Sequence, residues 1–252
     1  LCVVGHKSKL LIIYKTMSTV NLKEIQQKLY EKLKASGWGD PLKVFILSAD
    51  FERILNTLLR ESTNGNKFTP VLKQLFTAFE ECPYDKVKLV MVGMDPYPYL
   101  GVADGMAFSC SNTMKPAASL RYIQEQIAST VYNDPKREMN PDLRYLANQG
   151  VLLLNTALTT QVDKTGLHIE LWKPFITFLL DILAFKKAQL AYVFLGAKAM
   201  EWNSSVPSQN YKFFVTHPAS AAHMNQDVWD SGNLFNNINV VLKKNFNTEI
   251  QW

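Results

Sequence analysis

Residues 86–98 read KVKLVMVGMDPYP. Up to Gly93 the run is short, apolar and rich in valine, and it then breaks on Asp95-Pro96, a pair that starts turns and does not extend strands. A bounded apolar run of this length reads as a strand buried on both faces. Three more runs of the same kind follow: GVLLLN at 150–155, LAYVFLG at 190–196 and YKFFVTHP at 211–218. Helical patterns lie between and after them, WKPFITFLLDILAFKK and, near the end, LFNNINVVLKK. Strands alternating with helices predict an α/β fold, a four-stranded parallel sheet between helical layers.

Upstream of Lys86 the periodicity is helical. Leu22, Ile25, Leu29 and Leu33 recur at helical spacing and stop at Gly37. Phe51, Ile54, Leu55, Leu58 and Leu59 form a second set that runs into the turn-rich STNGN. A third helix is predicted to open at Thr69-Pro70 and to bury Leu72, Leu75, Phe76 and Phe79. The expectation is one domain over 17–252, with a helical part at 20–82 and a sheet-bearing part at 86–252. Met17 reads as a natural start, and residues 1–16 as a non-native or disordered leader. The apolar stretch of that leader is short and lacks a clear small-residue cleavage site, so it does not read as a signal peptide.

Hydrophobic residues make up 47 % of the 252 residues and charged ones 19 %, a composition that excludes disorder as the main state. With 27 Lys+Arg against 22 Asp+Glu, the net charge of +5 permits a polyanionic partner without requiring one. No apolar run reaches the roughly 18 residues a membrane span needs, so no membrane role is expected. Cys2, Cys82 and Cys110 are odd in number, widely spaced and form no CxxC pair, against a zinc ribbon, a disulfide framework or an iron–sulfur cluster. An intracellular, reducing setting follows.

In open α/β sheets ligands bind beyond the carboxyl ends of the strands. The four predicted strands run into Asp95-Pro96-Tyr97-Pro98, Asn155, Gly196-Ala197 and His217-Pro218. Each has an ordinary structural reading alone: Asp-Pro starts turns, Asn caps helices, and one histidine is commonly structural. Together they put a carboxylate, a carboxamide, a small-residue turn and an imidazole on one edge. Asp95 and His217 form a candidate acid–base pair. No GxSxG elbow, HExxH, EF-hand loop or Walker A motif accompanies them, so neither a serine nucleophile nor a metal is called for. Asn155 offers one acceptor and two donors in a plane, and Tyr97 and Phe108 supply aromatic faces, a set that suits a nucleobase taken out of its stack.

These motifs resemble the family 1 uracil-DNA glycosylases over roughly residues 37–252: GMDPYP (93–98), GMAFS (105–109), ASLRYI (118–123), GVLLLN (150–155), FLGAKA (194–199), THPAS (216–220) and IQW (250–252). The resemblance implies a four-stranded parallel sheet flanked by helices, and hydrolysis of the deoxyuridine N-glycosidic bond without a cofactor. It implies that Asp95 orients the attacking water and favours the cationic sugar, and that His217 donates to uracil O2. It implies further that Asn155 reads O4 and N3–H, Phe108 stacks on the ring, Tyr97 excludes the thymine methyl, and a Met94 backbone donor faces the base. Ser119, Gly196 and the Ser220 region would hold DNA phosphates. Ala221 stands at the position of the family's intercalating leucine, with His223 and Met224 as neighbouring DNA contacts.

The sequence also departs from the family. Met94 replaces a glutamine, Pro98 a histidine that contacts phosphate, and Ala197 a serine; the proline-rich loop shrinks to KPAAS, and HPSPLS becomes HPASAA. GMDPYP, HPA and the short spacing from His168 to Trp172 resemble the divergent poxvirus members. Two readings stay open: a monofunctional repair glycosylase, and a replication-associated DNA-binding or processivity subunit with secondary glycosylase activity. Expected partners are uracil-containing DNA, single- or double-stranded, and replication or repair proteins, with the chain acting as a monomer. The expected compartment is the cytoplasm or nucleoid for a bacterial or phage protein, and the host cytoplasm or nucleus for a protein of a eukaryotic virus. Trp229 and the polar loop NQDVWDSGN (225–233) read equally as a cover over the DNA-facing edge and as a plain surface loop.

Overall fold

The computed structural model describes residues 21–186, 189–223 and 228–252; the leader and Met17 lie outside them. Among the described residues the strands are β1 (Phe68–Thr69), β2 (Leu89–Gly93), β3 (Val151–Asn155), β4 (Thr160–Gln161), β5 (Ala191–Leu195) and β6 (Tyr211–Val215). Four of them make the sheet, in order β3-β2-β5-β6. Every pairing in it is parallel, with Gly93 opposite Asn155 and Leu195 opposite Val215. The continuous apolar runs are explained by burial, since every residue of β2, β3 and β5 is buried. The chain moves from β2 to one neighbour, β3, and later enters β5 on the other side of β2. The strand order reverses there, which opens a crevice beside the end of β2. All four expected strands are present, each within its expected limits. The antiparallel pair β1–β4 was not expected, because two residues per strand leave no alternation to read.

The two expected N-terminal helices span Leu22–Lys34 and Ala49–Thr63. Asn21 Oδ1 accepts from Glu24 N at 3.2 Å and Ser48 Oγ from Phe51 N at 3.2 Å. Each such cap stabilises its helix by about 1 kcal/mol. A further helix, Gly39–Ile46, lies between them, hidden in the sequence by a Gly-Asp-Pro start that reads as a turn. The third expected helix is corrected. Thr69 belongs to β1, Leu72–Gln74 is a 3-10 turn, and only Thr77–Glu81 is α-helical. The interruption has a tertiary cause: Ala78 N donates to Gly105 O at 3.3 Å, not to the carbonyl one turn back. Leu75, Phe76 and Phe79 are buried as expected, while Leu72 is only partly covered.

Helices Gly39–Ile46 and Ala49–Thr63 pack on the long helix Ile169–Lys186, and helix Leu234–Phe246 packs on Ala118–Thr130 and β5. Among the described residues no helix is long and apolar enough to cross a membrane.

Candidate active site

The site is built where β2 and β3 end side by side. Asn155 closes β3, and its side chain is 7 % exposed yet makes no hydrogen bond among the described residues. Opposite it, Gly93 leaves room that no other residue could leave: a Cβ there would lie 2.8 Å from Asn155 Oδ1 and 3.1 Å from Phe108 Cζ. The Phe108 ring and the Asn155 carboxamide therefore flank the same bare patch of backbone. Phe108 holds this place with φ +67, a left-handed conformation that costs a non-glycine residue roughly 1–2 kcal/mol. Tyr97 is tied to it, its hydroxyl donating to the Phe108 carbonyl at 3.0 Å. Burial pushes the Tyr97 phenol well above its ordinary pKa, so it stays protonated as that donor.

Asp95 follows two residues after β2. Its Oδ2 accepts from Gly166 N at 2.5 Å. Burial raises its carboxyl above the ordinary value; the Gly166 N–H, the Thr160 side chain and the nearby His168 each oppose that rise. The loop carrying Gly166 is anchored next to it. His168, 2 % exposed, has Nε2 3.0 Å from Glu61 Oε2 and Nδ1 2.8 Å from Thr159 Oγ1, which accepts from Trp172 Nε1 at 2.7 Å. A carboxylate can only accept, so the proton on Nε2 is assigned from this network.

His217 enters from the end of β6. Its Nδ1 accepts from Ala219 N at 3.2 Å, which assigns the neutral tautomer with the proton on Nε2. Its ring centroid lies 6.4 Å from that of Phe108, inclined by 45°. Gly196, at the end of β5, has φ +95, and a Cβ there would lie 2.8 Å from His217 Cβ. Only glycine permits both the backbone conformation and the approach of the imidazole. Trp229, expected either over the DNA-facing edge or in a plain surface loop, is instead 2 % exposed and donates from Nε1 to Thr216 O and Oγ1, at 3.2 and 3.0 Å. It braces the His217 loop from within.

The remaining expected contacts are placed unevenly. The Met94 carbonyl accepts from Thr156 Oγ1 at 2.8 Å and from Ala157 N at 2.9 Å, which joins the β2 exit to the β3 exit. Ser119 lies in the first turn of helix Ala118–Thr130, 7 % exposed. Ser220 opens the short helix Ser220–His223; its Oγ is buried without a partner among the described residues, so as placed it does not face solvent. Ala221 is corrected. It is wholly buried and part of the hydrophobic core, so as placed its methyl does not face solvent. His223 ends the same helix, and Met224 lies outside the described residues.

Sequence reasoning missed Gly93 as the residue that makes room, Gly166 as the donor to Asp95, and Trp229 as a brace. Gly166 carried a weak signal as a turn glycine in KTGLH. The other two are visible only once the strands are paired. No cluster of three or more His, Cys, Asp or Glu able to hold a metal occurs among the described residues.

Comparison with known proteins gives a consistent result. Residues 79–243 match the family described as the uracil DNA glycosylase superfamily. "Uracil-DNA glycosylase 1" of Listeria innocua is 30 % identical over 217 residues, which cover 85 % of this chain and 96 % of that protein. "Uracil-DNA glycosylase" of Bacteroides thetaiotaomicron is 31 % identical over 205 residues, covering 81 % and 91 %. Among solved structures, mimivirus uracil-DNA glycosylase superposes with a TM-score of 0.78 over 92 % of this chain and 89 % of its own, at 24 % identity, a likeness of fold.

Proposed function

The chain belongs to the uracil DNA glycosylase superfamily, and from that membership we propose how its own residues perform the reaction. It is a hydrolase of N-glycosyl bonds: it takes deoxyuridine out of DNA and cleaves the bond between uracil and C1′, leaving an abasic site for base excision repair. The observation that carries the base assignment is the buried Asn155 carboxamide, unpaired among the described residues and facing the Phe108 ring across Gly93. No protein group among the described residues competes for this amide, so a base edge of matching donors and acceptors completes it. The uracil edge does so, N3–H donating to the Asn155 oxygen and O4 accepting from its nitrogen. Cytosine presents the reverse pattern. Phe108 stacks on the base, Tyr97 occupies the space a thymine methyl would need, and the Met94 amide faces the base edge.

The chemistry separates charge. As the C1′–N1 bond breaks, its electron pair leaves with uracil, whose negative charge gathers at O2 and N1. The Nε2–H of neutral His217 donates to O2 and stabilises that anion. The Asp95 carboxylate orients a water toward C1′ and favours the positive sugar; the water oxygen bonds to C1′ and its proton passes to Asp95 or solvent. Preorganised groups of this kind account for large parts of enzymatic rate enhancements. Ser119, Gly196 and the backbone of the Ser220–His223 turn would lie along the DNA strand and hold phosphates, contacts that set position and not sequence. The protein works as a monomer where uracil-bearing DNA lies inside a cell. A variant of the mimivirus protein has been solved in complex with UGI, and the same partner is proposed for this chain. The alternative of a processivity subunit with secondary activity is not favoured, since the relatives are named as glycosylases.

The test is direct. The purified protein is incubated with a uracil-containing oligonucleotide, with and without chelator, and abasic sites are cleaved with alkali. Strand cleavage at uracil alone, unchanged by chelator, is expected. Intact strands after prolonged incubation would overturn the reading.

A further inference from the structure

We infer that Asp104 is a positioning residue for base recognition: its buried carboxylate holds the 104–111 loop so that Phe108 keeps the left-handed conformation in which its ring faces Asn155. The inference rests on the functional reading above and concerns a residue that the sequence did not single out. Asp104 is 0 % exposed. Its Oδ1 accepts from Met106 N at 3.1 Å, and its Oδ2 from Ser109 Oγ at 2.6 Å and Ser111 N at 3.0 Å. These donors lie on both sides of Phe108 in the chain, so one carboxylate grips the loop before and after the strained residue. The loop is pinned at two further points, Ala107 N to Leu153 O at 3.0 Å and Cys110 N to Pro141 O at 2.9 Å. Ser109 Oγ also accepts from Leu143 N at 3.2 Å.

The choice of residue argues for positioning. A buried carboxylate is an unfavourable way to stabilise a loop unless every donor around it is fixed, and apolar packing would serve stability better. What a fully bonded carboxylate supplies is a single geometry. Here that geometry sets the distance between the stacking ring and the carboxamide that reads the base. Tyr97, bonded to the Phe108 carbonyl, moves with the same loop.

The test is a double-mutant cycle read on base recognition. Asp104→Asn keeps the shape of the side chain but replaces one acceptor oxygen by a donor. Three variants, Asp104→Asn, Phe108→Leu and the double variant, are compared with the unsubstituted protein in three assays: inhibition by free uracil, the ratio of uracil to thymine excision, and kcat and KM on uracil-containing oligonucleotides. Asp104→Asn is expected to weaken uracil inhibition by about tenfold, the scale of losing one base–aromatic stack. It is also expected to lower the uracil-to-thymine ratio. In the Phe108→Leu background the same substitution is expected to have almost no further effect, because the ring it positions is gone. Additive effects, or unchanged inhibition and base ratio in a folded Asp104→Asn protein, would overturn the inference. If Asp104→Asn does not fold, Ser109→Ala removes one donor to the carboxylate and enters the same cycle under the same criteria. Failure of the unsubstituted protein to release uracil would instead sink the functional reading.

Discussion

At the scale of one residue, the catalytic role proposed for Asp95 and the stability of the fold oppose each other. Burial lifts its folded pKa above the ordinary value of 3.8, so the native protein keeps this proton to higher pH than the unfolded chain does. Ionised Asp95 therefore works against folding at neutral pH, and the penalty fades as pH falls through the ordinary carboxylate range. Asp95→Asn is expected to lose single-turnover uracil release by at least ~10², the scale of one electrostatic or acid–base group. It is also expected to raise the melting temperature at pH 7, with a gain that shrinks toward pH 3. A melting temperature lower than that of the unsubstituted protein at neutral pH would show that the carboxylate is stabilised in the fold. On the other side of the site, His217 Nδ1 accepts from Ala219 N, which leaves Nε2 to carry the proton in the neutral ring.

At the scale of elements, the short turn after His217 gives a sharper expectation than its sequence allowed. Ala221 aligns with a wedge position in the resembled family, but its methyl is wholly buried. Ala221→Leu is therefore expected to overpack the core, at a cost of about 1–3 kcal/mol. Denaturant midpoints should fall, and duplex cleavage should not rise relative to single-strand cleavage. A selective gain on duplex would show that the turn rotates outward on DNA. The same contrast explains what was legible beforehand. Strands β2, β3 and β5 were readable because burial on both faces demands unbroken apolar runs, and β6, only partly buried, from its aromatic and β-branched content. The positions of Asp95, Asn155 and His217 were readable because they lie at or just beyond the strand ends. The helix expected at Thr69–Phe79 failed because a carbonyl from Gly105, distant in sequence, captures one of its amides. The burial of Ala221 and Trp229 was hidden for a related reason. Both depend on which side of a loop meets the core, and a loop has no periodicity to reveal it.

At the scale of the whole molecule, aromatic rings join the N-terminal helices to the sheet-bearing part. Phe175, fully buried on the long helix, lies 5.3 Å from Phe45, 5.8 Å from Phe79 and 5.8 Å from Trp172, ring centre to ring centre. Trp38 stands edge-on to Phe79 at 5.1 Å. A core shared in this way is expected to unfold as one unit. Far-UV circular dichroism and tryptophan fluorescence should give coincident denaturant transitions. Phe175→Ala should shift both together by about 3–5 kcal/mol. Two separated transitions would divide the chain at the boundary between its helical and sheet-bearing parts.

The order of strands also has a consequence for synthesis. Asp95 and Asn155 leave the ribosome well before His217, and β6, which delivers that histidine, pairs only with β5. A nascent chain that has not yet made β6 lacks both the edge of its sheet and the group proposed to receive the departing uracil's charge. In a core that folds as one unit, catalytic competence is therefore expected to arrive late in translation, once the C-terminal strand has been made.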